Sequence, residues 1–359
     1  MQIDVMTGGA PLRRIQELAR SIESSGLAGM VVTEGGRTAY LSCAAAALAA
    51  DIDLATGIAV AFPRSPMVTA QVAWELAETS GGRFRLGIGT QVRAHVERRY
   101  ASTFAPAGPR LREYVQALRA IFRAFSGEER LEYSGSHWSF NLLPDQWSPG
   151  PIPSGPPPVD IAAVNPWMLR MAGEVADGVH VHPLNSPTYL RTTVLPGLAE
   201  GAARAGRDPA ELAVIVPCFT AVGDTDEERA RWWETARMQV AFYGSTPNYA
   251  FIFDQLGHEG TTARIRERQK AGDLAGMAQV VGDDLLEHFV VGATWDQLPE
   301  RLVERYGGVA SRVVLYFAGA AYQADPSVLD RFGEVARQVS RQVTAAGGVG
   351  TPPGGGAGS

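Results

Sequence analysis

Short apolar, β-branched runs alternate with amphipathic helical stretches along nearly the whole chain of 359 residues. That order dictates a parallel sheet, because parallel strands reach one another only through long crossovers, usually helices. Eight strand segments can be read: QIDVMT from Gln2, AGMVVT from Ala28, LATGIAVA from Leu54, FRLGIGT from Phe84, VDIAAV from Val159, GVHVH from Gly178, LAVIVPCF from Leu212 and RVVLYF from Arg312. Stretches such as LRRIQELARSIESSG and GPRLREYVQALRAIFRAF lie between them, with apolar residues recurring at three and four. Eight strand–helix pairs close most simply into an α/β (β/α)8 TIM barrel, since a doubly wound open sheet usually has fewer strands.

Two segments interrupt the alternation. Residues 144–158 carry seven prolines and predict an extended loop leading back to the fifth strand. Residues 224–309 hold several helical stretches, including ERARWWETARMQVAFYG and DDLLEHFVVG, where one helix is expected. An insertion between strands seven and eight would cover the barrel mouth as a lid or substrate wall. The expected organisation is one domain over residues 1–346, followed by a Gly/Pro-rich tail from Gly347 without fixed structure.

Hydrophobic residues form 45% of the chain, enough for a large core. A net charge of −6 gives no general attraction to nucleic acid or an anionic membrane, so any anion site must be local. The two cysteines, Cys43 and Cys218, lack metal or redox spacing, and the N-terminus lacks the order of a signal peptide. These features predict a cytoplasmic protein, and no apolar run is long enough to span a bilayer.

In such a barrel the chemistry lies where the strands end. The rule selects Thr33 and Glu34, Ala59 and Val60, Gly89, Thr90 and Gln91, Val164 and Asn165, His180 and His182, and Phe219. Two histidines without acidic companions do not complete a hydrolytic metal site, so no metal is expected. A mouth of Gly, Ala, Val, Thr and aromatics suits a flat organic cofactor that brings its own reactivity. Gly87-x-Gly89 is not a dinucleotide fingerprint, because Val92 takes the third glycine position. His95, Arg98 and Arg99 share one helical face, either solvated or touching ligand. His180 and His182 point to the same side of one strand, as interior polar groups or substrate contacts. Glu34 forms either an ion pair with nearby Arg37 or an acid–base group.

The segment from GIAVAFPRSPMVTAQVAW through GRFRLGIGTQVRAHVERRY, the RLREYVQALRAIF helix, and PPVDIAAVNPWMLRMAGEVADGVHVHP together resemble the bacterial-luciferase-like superfamily. The likeness is strongest to its branch dependent on the deazaflavin coenzyme F420, and it runs from the first strand to about Tyr322. The resemblance implies a barrel with a late insertion and hydride transfer at the deazaflavin C5. It places a bulge with a non-proline cis peptide at Ala59 and Val60, ring and side-chain contacts at Gly89, Thr90 and Gln91, and a phosphate-tail contact at Ala162, Ala163, Val164 and Asn165. Several relatives have a carboxylate at the position of Gln91 and a Gly-Gly pair at that of Val164-Asn165, and this chain departs from both.

The expected activity is an F420-dependent oxidoreductase, a dehydrogenase or reductase acting on a small, moderately apolar organic substrate. His95 or Glu34 would relay the proton and Gln91 would orient by hydrogen bonds, while His180, His182 and Phe219 would meet substrate. Arg93, Arg98 and Arg99 would answer the anionic cofactor tail. The alternatives are an FMN-dependent two-component monooxygenase and a flavin-binding protein without catalysis. Apolar outer helices suggest a homodimer.

Overall fold

The computed structural model describes residues 1–347, and in it each apolar run becomes a strand. These are β1 (Gln2–Thr7), β2 (Gly29–Val32), β3 (Asp53–Thr56), β4 (Phe84–Gly89), β5 (Val159–Ala163), β6 (Gly178–Val181), β7 (Ala213–Val222) and β8 (Arg312–Leu315). All are parallel to their neighbours, and β1 pairs with both β2 and β8. Closure is completed where Ala213–Ile215 of β7 pairs with β6 and Ile215–Cys218 pairs with β8. The result is the expected closed eight-stranded barrel. Its strands are buried on both faces, which explains why they read as continuous apolar runs.

Helices pack around the barrel: α1 (Leu12–Ser25), α2 (Ala39–Ala47), α3 (Pro66–Thr79), α4 (Ala107–Phe125), α5 (Pro166–Val175) and α6 (Leu195–Arg204). In α1, Ile15, Leu18, Ala19 and Ile22 recur at helical spacing and are buried. Burying each of the three larger side chains contributes roughly 1.5–3 kcal/mol. Gly26 ends α1 in the left-handed conformation at φ 79°, which glycine adopts without a Cβ clash. Helices α3 and α5 start on side-chain caps, Ser65 and Asn165, each followed by proline at the first helical position.

The barrel interior is layered. At the strand starts, Arg312 bonds Asp4 at 2.6 and 2.7 Å and Asp53 at 2.8 Å, while Arg85 bonds Asp160 at 2.7 and 2.9 Å. Above this charged layer, Met6, Val31, Ala55, Ile215 and Val314, one from each of five strands, form a separate apolar cluster.

Between β7 and β8 the chain builds α7 (Asp226–Gly244), the short helices Ala250–Asp254, Thr261–Lys270, Leu274–Gln279 and Asp283–Leu286, and helix Leu298–Tyr306. A Thr225–Glu228 capping box starts α7. One expectation fails here: the second half of DDLLEHFVVG is not helical, because Val290–Ala293 pairs in parallel with Phe219–Val222 at the end of the long β7. Residues 144–158 form the expected loop apart from one 3-10 turn at Asp145–Trp147. A two-stranded hairpin, Tyr133–Ser134 with Ser139–Phe140, precedes it. α8 (Val328–Gly347) ends the described chain, and the tail expected after it lies outside the described residues. Among those described, no helix is long and apolar enough to cross a membrane.

Candidate active site

The carboxyl ends of β3, β4 and β5 approach one another almost without side chains. A Cβ on Gly89 would lie 3.0 Å from Ile58 Cδ1 and 3.1 Å from Ala162 Cβ, so Ile58 and Ala162 both crowd the space beside the glycine. The Gly57-Ile58 peptide bond is cis, and Thr33 Oγ1 donates to the Gly57 carbonyl at 3.1 Å. Gly57 and Ile58 are half-buried. Together with Gly89 and Ala162 they form an uncharged shelf at the mouth.

The cis bond corrects one sequence expectation. GIAVAF is the right segment, but the bond lies at Gly57-Ile58 and not at Ala59 or Val60. Those two residues are buried and pair with Ile88 and Gly89, so they hold the shelf from behind.

Thr90 and Gln91 leave the shelf edge half-buried. Gln91 has φ 57°, and its Oε1 accepts the Val92 N–H at 2.9 Å, which leaves its amide nitrogen as the outward donor. In the β5–α5 turn, Ala163 is buried and Val164 half-buried, while Asn165 is exposed. Asn165 Oδ1 caps Met168 N at 3.0 Å and Tyr189 donates its hydroxyl to the Val164 carbonyl at 2.6 Å. The turn is thus fixed by side-chain hydrogen bonds.

Glu34 is buried and fully engaged. Its Oε2 accepts the Val60 N–H at 2.7 Å and Arg64 Nη1 at 3.0 Å, and its Oε1 accepts Arg64 Nη2 at 2.5 Å. The expected ion pair therefore exists with Arg64 rather than Arg37, and it anchors the strand-three bulge. His95 is exposed on the short π-helix His95–Arg99. Beside it Arg93 pairs with Glu97 at 3.0 Å, and Arg99 donates to the Gly35 carbonyl. This face lies at the rim, outside the floor of the mouth.

His180 and His182 share a strand face but occupy different depths. His180 is 6% exposed, beneath Gly57 and Gly87, with Nε2 unpartnered and 3.9 Å from Asp160 Oδ2. Burial lowers its pKa to about 4. His182 is half-buried one step higher, where its Nδ1 accepts the Leu184 N–H at 3.0 Å, and burial lowers its pKa to about 3. Its ring lies 4.7 Å from Tyr243 and 4.3 Å from Tyr249, centroid to centroid. Both histidines are thus neutral near pH 7. Phe219 is buried between Tyr316 and Phe317, with Trp232 stacked beyond Phe317. It is therefore core and not an open surface, because β7 runs on past the barrel to pair with Val290–Ala293.

Sequence reasoning missed Gly57, Ile58, Arg64 and Tyr316. Tyr316 directly follows β8, so the strand-end rule reaches it. The pairing of its hydroxyl with that of Tyr243, at 2.6 Å, has no sequence signal. No cluster of three or more metal-ligating side chains occurs among the described residues.

Residues 1–312 match the family model described as luciferase-like monooxygenase. An uncharacterized protein of Mycobacterium tuberculosis is 35% identical over 322 residues, covering 89% of this chain and 95% of the relative. A 5,10-methylenetetrahydromethanopterin reductase of Archaeoglobus fulgidus is 28% identical over 270 residues, covering 73% and 76%. Among solved structures, the coenzyme F420-dependent tetrahydromethanopterin reductase of Methanopyrus kandleri superposes with a TM-score of 0.76 at 20% identity, covering 95% of this chain and 99% of that one.

Proposed function

Because the chain belongs to the luciferase-like monooxygenase family, we propose that it is an F420-dependent oxidoreductase acting on a small organic substrate at the barrel mouth. The observation that carries this reading is the shelf of Gly57, Ile58, Gly89 and Ala162. Its close-set backbone and lack of charge fit the face of a planar ring. Bound there, a deazaflavin supplies two-electron hydride chemistry that the side chains lack. Ile58 and Ala162 would back the ring, while Gln91 offers its amide N–H at the edge. The Val164-Asn165 turn and the rim arginines Arg93 and Arg98 would meet the anionic tail. Glu34, saturated by Arg64 and the Val60 amide, holds the bulge in place, so proton exchange falls to the half-buried His182 and Tyr316, just past the ends of β6 and β8. The relatives named as reductases support hydride transfer. A cytoplasmic homodimer completes the reading.

A second reading, a monooxygenase using FMN, is favoured by the description of the family itself. Separate titrations of the full chain with F420 and FMN distinguish the two. Quenching of deazaflavin fluorescence, without oxygen uptake, supports the first. Tight FMN binding with oxygen consumption in the presence of a flavin reductase supports the second and overturns the first.

A further inference from the structure

The mouth has two unlike halves. Strands β3 to β5 supply backbone and small side chains, whereas β6, β8 and the insertion supply His182, Tyr316, Tyr243 and Tyr249. Tyr316 packs directly on the apolar barrel layer of Met6, Val31, Ala55, Ile215 and Val314, which fixes it above the barrel interior. Its hydroxyl lies 2.6 Å from that of Tyr243 on α7. In such a pair one hydroxyl donates to the other, leaving one O–H and free lone pairs for a third oxygen. Tyr243 packs edge-on to His182, whose Nδ1 is occupied by the Leu184 N–H. The hydrogen of the neutral ring is therefore on Nε2, a donor with no partner among the described residues. Burial holds the Tyr243, Tyr249 and Tyr316 hydroxyls above their ordinary pKa. These groups include no cation, and the guanidinium of Arg64 is committed to Glu34.

We propose that Tyr316, Tyr243 and His182 seat the oxygen atom of an uncharged carbonyl or hydroxyl compound, so that ketones, aldehydes or alcohols are accepted and carboxylates are refused. Neutral donors satisfy such an oxygen, whereas a carboxylate would lose its hydration without meeting a positive charge. The inference deepens the redox reading and rests on the same mouth.

Calorimetric titration of the full chain, with and without F420, tests it with three ketones (butanone, cyclohexanone, acetophenone) and the matching carboxylates (propanoate, cyclohexanecarboxylate, benzoate). At least one ketone is expected to bind, and its carboxylate at least about tenfold more weakly. Tyr316→Phe, and separately Tyr243→Phe, should each weaken that ketone about tenfold, the equivalent of one hydrogen bond to a buried partner. Both should still melt cooperatively as folded barrels, a few degrees below the wild type because each loses the hydroxyl pair, and both should retain F420 quenching. Ketone binding should also perturb the tyrosine ultraviolet absorbance of the wild type, and less so that of either variant. The proposal is overturned if none of the ketones binds, if the carboxylates bind equally well, or if both variants bind like the wild type. Ketone binding by a chain that ignores F420 and FMN overturns the redox reading alone. Normal F420 quenching without ketone discrimination overturns this proposal alone.

Discussion

His180 fills the space that Gly87 leaves empty: a Cβ on Gly87 would lie 2.5 Å from His180 Nε2 and would overlap the Thr56 carbonyl oxygen. The imidazole sits in the barrel between the charged layer and the shelf, and it fits only because β4 has no side chain there. Gly87→Ala is therefore expected to abolish folding, since backbone as well as side chain obstructs the methyl group. Soluble expression with a wild-type melting temperature would contradict this packing.

Acid should weaken the protein through the same residue. The pKa of His180 is lowered by burial to about 4 from an ordinary 6.5, so the unfolded chain binds the proton first as pH falls. Stability is then full above pH 6.5 and declines as pH falls from there toward 4, by on the order of 3 kcal/mol from this group. Melting curves across that range should show the decline in the wild type, and a shallower slope in a folded His180→Gln variant. Parallel slopes would remove His180 from the account.

Glu34 ends strand two, where an acid–base role is plausible on sequence grounds, yet both its oxygens are occupied by Arg64 and the Val60 amide. Glu34→Gln leaves Arg64 without its counter-charge beside the strand-three bulge. The expected cost is about 2–4 kcal/mol of stability, read by urea denaturation. At temperatures where the variant is folded, the pH dependence of turnover should keep its wild-type shape. Loss of one limb of that profile would restore Glu34 as the proton-exchanging group.

Asn165 caps α5 through Met168 N. Replacing it with alanine should cost about 1 kcal/mol and loosen the turn proposed to meet the cofactor tail. Thermal melting reads the first effect. Affinity for F420 compared with a tail-less deazaflavin reads the second, and an equal change for both would argue against a tail contact.

The barrel was legible in the sequence because each of its strands is buried on both faces and so appears as an unbroken apolar run between amphipathic helices. The strand-end rule likewise selected Gly89, whereas Ala162 came from the family resemblance. What escaped reading depends on contacts between distant positions. Arg37 is the sequence neighbour of Glu34, but the turn into α3 brings Arg64 back across Val60 to reach the carboxylate. Val290–Gly292 looked helical because so short a run carries no periodicity of its own, and only the overlong β7 makes it part of a strand. The same overlong strand turned Phe219 from an expected substrate contact into an aromatic core residue. The Tyr243–Tyr316 hydroxyl pair joins an insertion helix to a barrel strand, and nothing local announces it.

The shelf is the centre of the account, and fluorescence titration of F420 into the wild type and Gly89→Ala tests it most directly. A methyl group on Gly89 meets Ile58 Cδ1 at 3.0 Å and Ala162 Cβ at 3.1 Å; the end of the Ile58 side chain can turn aside, whereas Ala162 Cβ moves only with its backbone, so the methyl group displaces the shelf while the barrel persists. Stoichiometric quenching by the wild type is expected at micromolar concentrations, with at least about tenfold weaker binding by a Gly89→Ala protein that melts as a folded barrel. Equal affinity in the two proteins, or no quenching by the wild type, would contradict it.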